Sequence, residues 1–111
     1  MTDQADLFVP LSALTFASFE QAVAVPENWD VVQTGVLLQH AVTHLALTAI
    51  DAGAVHPVSV TLDVSAAPAN GDEIIFDSRI DRKTRTLIFA SGIARQRDQV
   101  LLKATIVYRI A

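Results

Sequence analysis

From Val58 the chain alternates. Val58, Val60, Leu62 and Val64 are apolar, and Ser59, Thr61, Asp63 and Ser65 between them are polar. A period of two is that of a strand with one face covered. The stretch before it has another rhythm. From Thr34 to Gly53, at about 100° per residue, Leu38, Ala41, Val42, Leu45, Ala46, Ala49 and Ile50 fall on one broad face. Gln39, His40, Thr43, His44, Thr48 and Asp51 fall on the opposite half, interrupted by Val36, Leu37 and Leu47. This predicts a helix covered on most sides. Thr34 is the expected N-cap and Gly53 the expected C-terminal stop.

The remaining elements follow from the same two periods. Phe19 to Val25 reads as a short strand, with Phe19, Gln21, Val23 and Val25 on one face and Ala22 and Ala24 on the other. Pro26-Glu27-Asn28 ends it. Val58 to Ser65 is the next strand, closed by a Pro68–Asp72 turn with Asn-Gly at its centre. Glu73 to Ile80, Arg85 to Gln96 and Val100 to Ile110 are three more strands, joined by turns at Asp81–Thr84 and Arg97–Gln99. Short turns make antiparallel neighbours. One long apolar helix and an antiparallel sheet bury each other only if the helix lies across a sheet face. The expected class is α+β.

Composition narrows the setting. The 111 residues suit one domain, 1–111, with residues 1–7 expected to fray. Hydrophobic residues make up 51%, more than so small a domain readily buries, so part of the apolar surface is expected to meet a partner subunit. Net charge is −4 and there is no basic run, which argues against nucleic acid and anionic membranes as partners. There is no cysteine, so no thiol nucleophile, disulfide or cysteine–zinc site. The first residues, MTDQADLFVPLS, do not read as a signal peptide. The Thr34–Ile50 run carries Gln39, His40, Thr43, His44 and Thr48, too polar for a membrane span. A cytoplasmic, oligomeric protein is expected.

Two segments carry a family resemblance. VSVTLDVSAAPANGDEIIFDSRIDRKTRTLIFASGIARQRDQVLLKATIVYRI is similar, turn for turn, to the C-terminal half of acyl-CoA thioesterases of the phenylacetate-degradation type. TGVLLQHAVTHLA looks like the start of the hotdog helix, where such thioesterases carry His-Gly-Gly-Val and β-hydroxyacyl-ACP dehydratases carry Pro-Gly-Val-Leu. The resemblance runs from Phe19 to Ile110. It implies a hotdog fold, an antiparallel β-sheet wrapped around one long central helix. It also implies a homodimer joined through the sheets, or a dimer of dimers (a homotetramer). An acyl- or aryl-thioester site would lie at the subunit boundary, with coenzyme A or acyl carrier protein as part of the substrate and no separate cofactor.

The active-site pattern departs from both relatives. Gln33-Thr34-Gly35 stands where the thioesterases have His-Gly-Gly, and their helix carboxylate would fall at Val42, or at Thr43 with a one-residue slip. The acidic position of the dehydratases is His40, and no histidine stands in the loop before the helix. The candidate catalytic residues are therefore Asp30 or His40 to activate water, Gln33 to orient it, and Gly35 N–H to receive the oxyanion. A helix start offers unpaired N–H groups and positive potential for such an anion, and glycine admits close approach. His40 suits base catalysis near neutral pH. Candidate substrate contacts are Asn28, Trp29, Thr34, Val36 and Thr43, with Arg82, Lys83 and Arg85 for phosphates. His40 and His44 stand four apart, but no third ligand has metal spacing, so no metal is expected. The alternatives are a dehydratase- or hydratase-like hotdog using His40, which needs a second acid–base group within reach, and a non-catalytic acyl-thioester-binding hotdog. A cystatin-like fold would instead leave the helix exposed on an open sheet.

Overall fold

A computed structural model describes residues 9–111. The expected frayed segment, residues 1–7, lies outside them. Strands β1 (Thr15–Phe16) and β2 (Gln21–Ala24) lead to helix α1 (Val31–Leu47), and β3 (Val55–Val64), β4 (Ile74–Lys83), β5 (Leu87–Gln96) and β6 (Gln99–Ile110) follow. The six strands form one sheet in the order β1-β2-β4-β5-β6-β3, every pair antiparallel. The helix lies against β3, β4, β5 and β6. Its buried residues run around more than one face, from Gln33 and Leu37 to Leu38, Ala41, Val42 and Leu45. The cystatin-like alternative, with an exposed helix, is thereby replaced by a wrapped one.

The inward positions of the sheet supply the core: Ile74 and Phe76 on β4, Ile88, Ala90 and Ala94 on β5, and Leu102, Ala104, Ile106 and Tyr108 on β6. On β2 the inward face is the alanine face, Ala22 and Ala24. The helix settles on β5 at Gly92. A Cβ there would stand 2.5 Å from Val42 Cγ2 and 3.0 Å from Leu38 Cδ1, so only glycine admits this approach.

Several boundaries move from where the periodicity put them. The helix begins three residues before Thr34, because Asp30 and Gln33 form a capping box that Thr34 cannot match. It ends at Leu47 rather than near Gly53. Thr48 terminates it, its N–H and hydroxyl both bonding the Leu45 carbonyl. Strand β3 begins at Val55 and runs through Pro57, which an edge strand tolerates, with a register shift between Pro57 and Ser59. The β4–β5 turn sits at 84–86 rather than at Asp81–Thr84, since β4 continues through Arg82 and Lys83. Strand β1 is too short to show a period.

Among the described residues the β3 edge of the sheet is unpaired. Val58 and Val64 are each 57% exposed, Val60 43% and Leu62 37%. An uncovered apolar edge strand is the kind natural proteins avoid unless something pairs with it.

Candidate functional site

The helix start is closed on itself. Asp30 is the N-cap: its carboxylate accepts from the N–H of Val31 at 2.7 Å and from the N–H of Gln33. Gln33 reciprocates, its Oε1 accepting from the Asp30 N–H at 2.9 Å, and it is buried. Thr34 is fully buried, and its hydroxyl donates to the Asp30 carbonyl at 3.0 Å. Thr34 is therefore a residue of the first turn, not its cap. Gly35 lies in the second turn, where helical geometry gives its N–H to the carbonyl four residues back. It packs toward Leu62 and Leu102. Three of the expected catalytic groups, Asp30, Gln33 and Gly35, thus come together as the helix's own capping and packing.

The loop before the helix is likewise committed to structure. Asn28 takes a left-handed backbone, φ 60°, and its N–H donates to Asn70 Oδ1 at 2.9 Å, tying the loop to the Asn-Gly turn. Trp29 packs against the core and lines a groove of about 470 Å³ with Val25, Glu27 and Glu73, at the β2 end of the sheet.

A different groove, of about 300 Å³, runs along the helix flank between Leu11, Val36, Gln39, His40 and Thr43. Here three of the expected residues meet: Val36, His40 and Thr43. His40 is half-buried, and its pKa lies below the ordinary 6.5, first because burial disfavours the cation and then because His44 is nearby. Its ring is neutral at pH 7. Gln39 uses one N–H on the Gly35 carbonyl at 3.3 Å and keeps a second donor. Thr43 donates to the Gln39 carbonyl and lies 2.8 Å from the Tyr108 hydroxyl. His44 stacks on Phe16 at 4.0 Å between ring centroids, with Phe19 at 6.0 Å, and its Nδ1 is buried without a partner among the described residues. Among those residues, no three His, Asp or Glu side chains gather as metal ligands, and no carboxylate hydrogen-bonds His40 as a dehydratase pair would.

Arg82, Lys83 and Arg85 lie elsewhere. Gly35 packs on Leu102, which pairs with Ala94, whereas Thr43 bonds Tyr108, which pairs with Ile88. The helix thus runs from the Ala94 end of β5 to the Ile88 end. Lys83 pairs with Ile88, so the basic hairpin flanks the helix's C-terminal half, about 20 Å along the sheet from its start. Arg82 lies over the Phe89 ring at 5.8 Å. Within one chain the hairpin and the helix start do not meet.

Leu11 and Gln39 in this groove, and Tyr108 behind Thr43, were not among the expected residues. Tyr108 had a signal: it follows Ala104 and Ile106 at inward positions of β6, and a buried phenol needs a hydrogen-bond partner.

Solved structures match this architecture closely. A phenylacetic acid degradation-related protein from Ralstonia eutropha JMP134 superposes with a TM-score of 0.71 at 15% identity, over 93% of this chain and 81% of that one. Thioesterase superfamily member 2 from Mus musculus gives 0.69 at 18%, over 88% and 80%. The fold is the hotdog fold. A Streptococcus mutans UA159 protein bound to acetyl CoA shares it, with a TM-score of 0.70 at 13% identity over 88% of both chains. No protein-family model matches the sequence, and no curated protein does. No helix among the described residues is long and apolar enough to cross a membrane.

Proposed function

We propose that this hotdog chain hydrolyses acyl-coenzyme A thioesters as a homodimer paired through β3, with His40 as the general base. One observation carries the assignment. Asp30 and Gln33 are taken up by the capping box, while His40 is neutral and faces an open groove. A base must be unprotonated and within reach of the water it activates. The water oxygen attacks the thioester carbonyl carbon, and His40 takes its proton. The tetrahedral intermediate collapses to the acid, and the imidazolium returns the proton to the departing thiolate. The second N–H of Gln39 is the donor beside that carbon, the Thr43 hydroxyl being engaged with the Gln39 carbonyl and Tyr108. Support for the substrate class comes from the thioesterase and the acetyl-CoA-bound protein that share the fold.

A second reading, a non-catalytic acyl-thioester binder, is favoured by Val42. The resemblance puts the thioesterase carboxylate at Val42, or at Thr43 with a one-residue slip, and Val42 is buried against Gly92.

The test is thiol release from a panel of acyl- and aryl-CoA substrates, read with a thiol-reactive dye to which this cysteine-free chain contributes no background. Turnover abolished by His40→Gln but kept in Asp30→Asn, which preserves the cap, supports the base assignment. Loss in Asp30→Asn alone transfers the role to Asp30. Binding of acyl-CoA with no turnover of any substrate selects the second reading.

A further inference from the structure

We infer that Leu11 closes one end of the flank groove over Val36, and that this apolar end sets the length of the acyl group, limiting it to about six carbons. The inference rests on the acyl-thioester reading above and adds which way the acyl group lies and what stops it. Leu11 opens a 3₁₀ turn, Leu11–Ala13. The Ala13 N–H donates to the Pro10 carbonyl at 3.0 Å and the Leu14 N–H to the Leu11 carbonyl at 3.1 Å. Val9 before the turn and Leu14 after it are buried in the core. Leu11 between them is 46% exposed and lines the groove. A lone exposed leucine needs no explanation. One anchored on both sides and set into the groove that holds the base is a wall of that groove.

The groove has a direction. Its other lining residues, Val36, Gln39, His40 and Thr43, all belong to the helix. Val36 stands about one turn toward the helix start from His40, and Thr43 about one turn the other way. Leu11 is at the Val36 end. Pro10 and Ala13, on either side of it, line the other groove with Val23, Ala24, Val25 and Trp29, and Trp29 immediately precedes the N-cap. The two apolar side chains thus share the helix-start end, while the amide, imidazole and hydroxyl occupy the rest. With the thioester carbonyl at Gln39 and His40, the acyl chain lies toward Val36 and Leu11, and the sulfur and its carrier leave past Thr43. From His40 back to Val36 is about 6 Å along the axis, the length of roughly four or five methylenes. A groove of about 300 Å³ is also at the small end for ligand sites.

The experiment measures binding of S-alkyl coenzyme A thioethers, which carry the chain but no thioester to hydrolyse. In wild type, affinity is expected to rise about two-fold per methylene from S-ethyl to S-hexyl, half the transfer free energy of full burial because the groove is open. It should rise no further at S-octyl. Leu11→Ala removes the wall, so the rise should continue to S-octyl. Val36→Ala should flatten the rise between S-ethyl and S-hexyl. Leu47 is an exposed helix residue one turn beyond Thr43, and Leu47→Ala should leave the series as in wild type. All three substitutions change exposed side chains, so the fold is kept. A wild-type series with no limit at S-hexyl, or a limit that survives Leu11→Ala, overturns the role of Leu11. Flattening by Leu47→Ala and not by Val36→Ala reverses the direction and overturns the inference, as does failure of every thioether to bind. These are binding readings. The expected series with no thiol release from hexanoyl-CoA sinks the hydrolase reading and leaves this one standing. Thiol release that is lost in His40→Gln but indifferent to chain length keeps the hydrolase and overturns this one.

Discussion

The Thr43 hydroxyl lies 2.8 Å from the hydroxyl of the fully buried Tyr108, joining the open flank of the helix to the inner face of β6. Thr43 also bonds the Gln39 carbonyl, so it donates there and accepts from Tyr108. The two partners are not equivalent. Tyr108→Phe removes the phenol and leaves Thr43 with its helix acceptor, at a cost of about 1 kcal/mol. Thr43→Val strands a buried phenol, which costs about 1–3 kcal/mol. Denaturant unfolding should therefore rank Thr43→Val as the more damaging change. The opposite order would mean that Tyr108 has another partner.

The same phenol sets an alkaline limit. Burial, only partly offset by the bond to Thr43, raises the Tyr108 pKa above the ordinary 10.0. Above that pH the unfolded chain has lost a proton that the folded chain keeps, so stability falls as pH rises from about 10 through the folded value. Wild type should lose stability faster than Tyr108→Phe above pH 10 in parallel melts, and identical slopes would show that the phenol titrates normally.

Gly92 is held to a hydrogen by Val42 and Leu38. Gly92→Ala should cost about 1–3 kcal/mol by overpacking. Val42→Ala alone opens a cavity and also destabilises. Combined, the two should recover stability relative to their sum, because each relieves the other. Strict additivity in a double-mutant cycle would place the strain elsewhere.

The two periods along the chain were enough for the long helix and the four long strands, because both are written by burial: Leu38, Val42 and Leu45 face inward as the 3.6 rhythm requires; the wrapping of the sheet around the helix came from the family resemblance. Ends were harder. Thr34 has the right chemistry for a cap, but Asp30 followed by Gln33 is the stronger combination, and the D-x-x-Q spacing was the readable signal. That shift changed the setting of the candidate residues. It drew Asp30, Gln33 and Gly35 into the helix and left Val36, His40 and Thr43 on an open flank. Leu11 was illegible, since nothing local says that a turn before β1 will lie against the helix. The distance between hairpin and helix start was likewise beyond any periodicity, because it depends on which end of β5 the helix begins over.

His40 should impose an acidic limit as well. Its pKa is lowered, so the unfolded chain takes up a proton at about pH 6.5 while the folded chain resists. Stability present above that pH is lost as pH falls through the folded value. His40→Gln should flatten this loss. If His40 is the base, thiol release should persist below pH 6.5 and then fall with the same group. A rate that halves at pH 6.5 would indicate an unshifted histidine and weaken the base assignment.

The β3 edge gives the sharpest structural test. Val58, Val60, Leu62 and Val64 present an apolar row on an edge strand that no described residue pairs, and the proposed pairing of two copies would satisfy both at once. Val60→Lys places a charge on that row in each subunit, so two lysines would be buried in the proposed joint. The expected outcome is a monomer by sedimentation, with far-ultraviolet circular dichroism unchanged because Val60 is not part of the chain's own core. Thiol release should vanish with the dimer. A Thr61→Lys control, pointing to the opposite face of β3, should leave more dimer than Val60→Lys. If Val60→Lys stays dimeric, β3 is not the joint, and the apolar row serves some other contact.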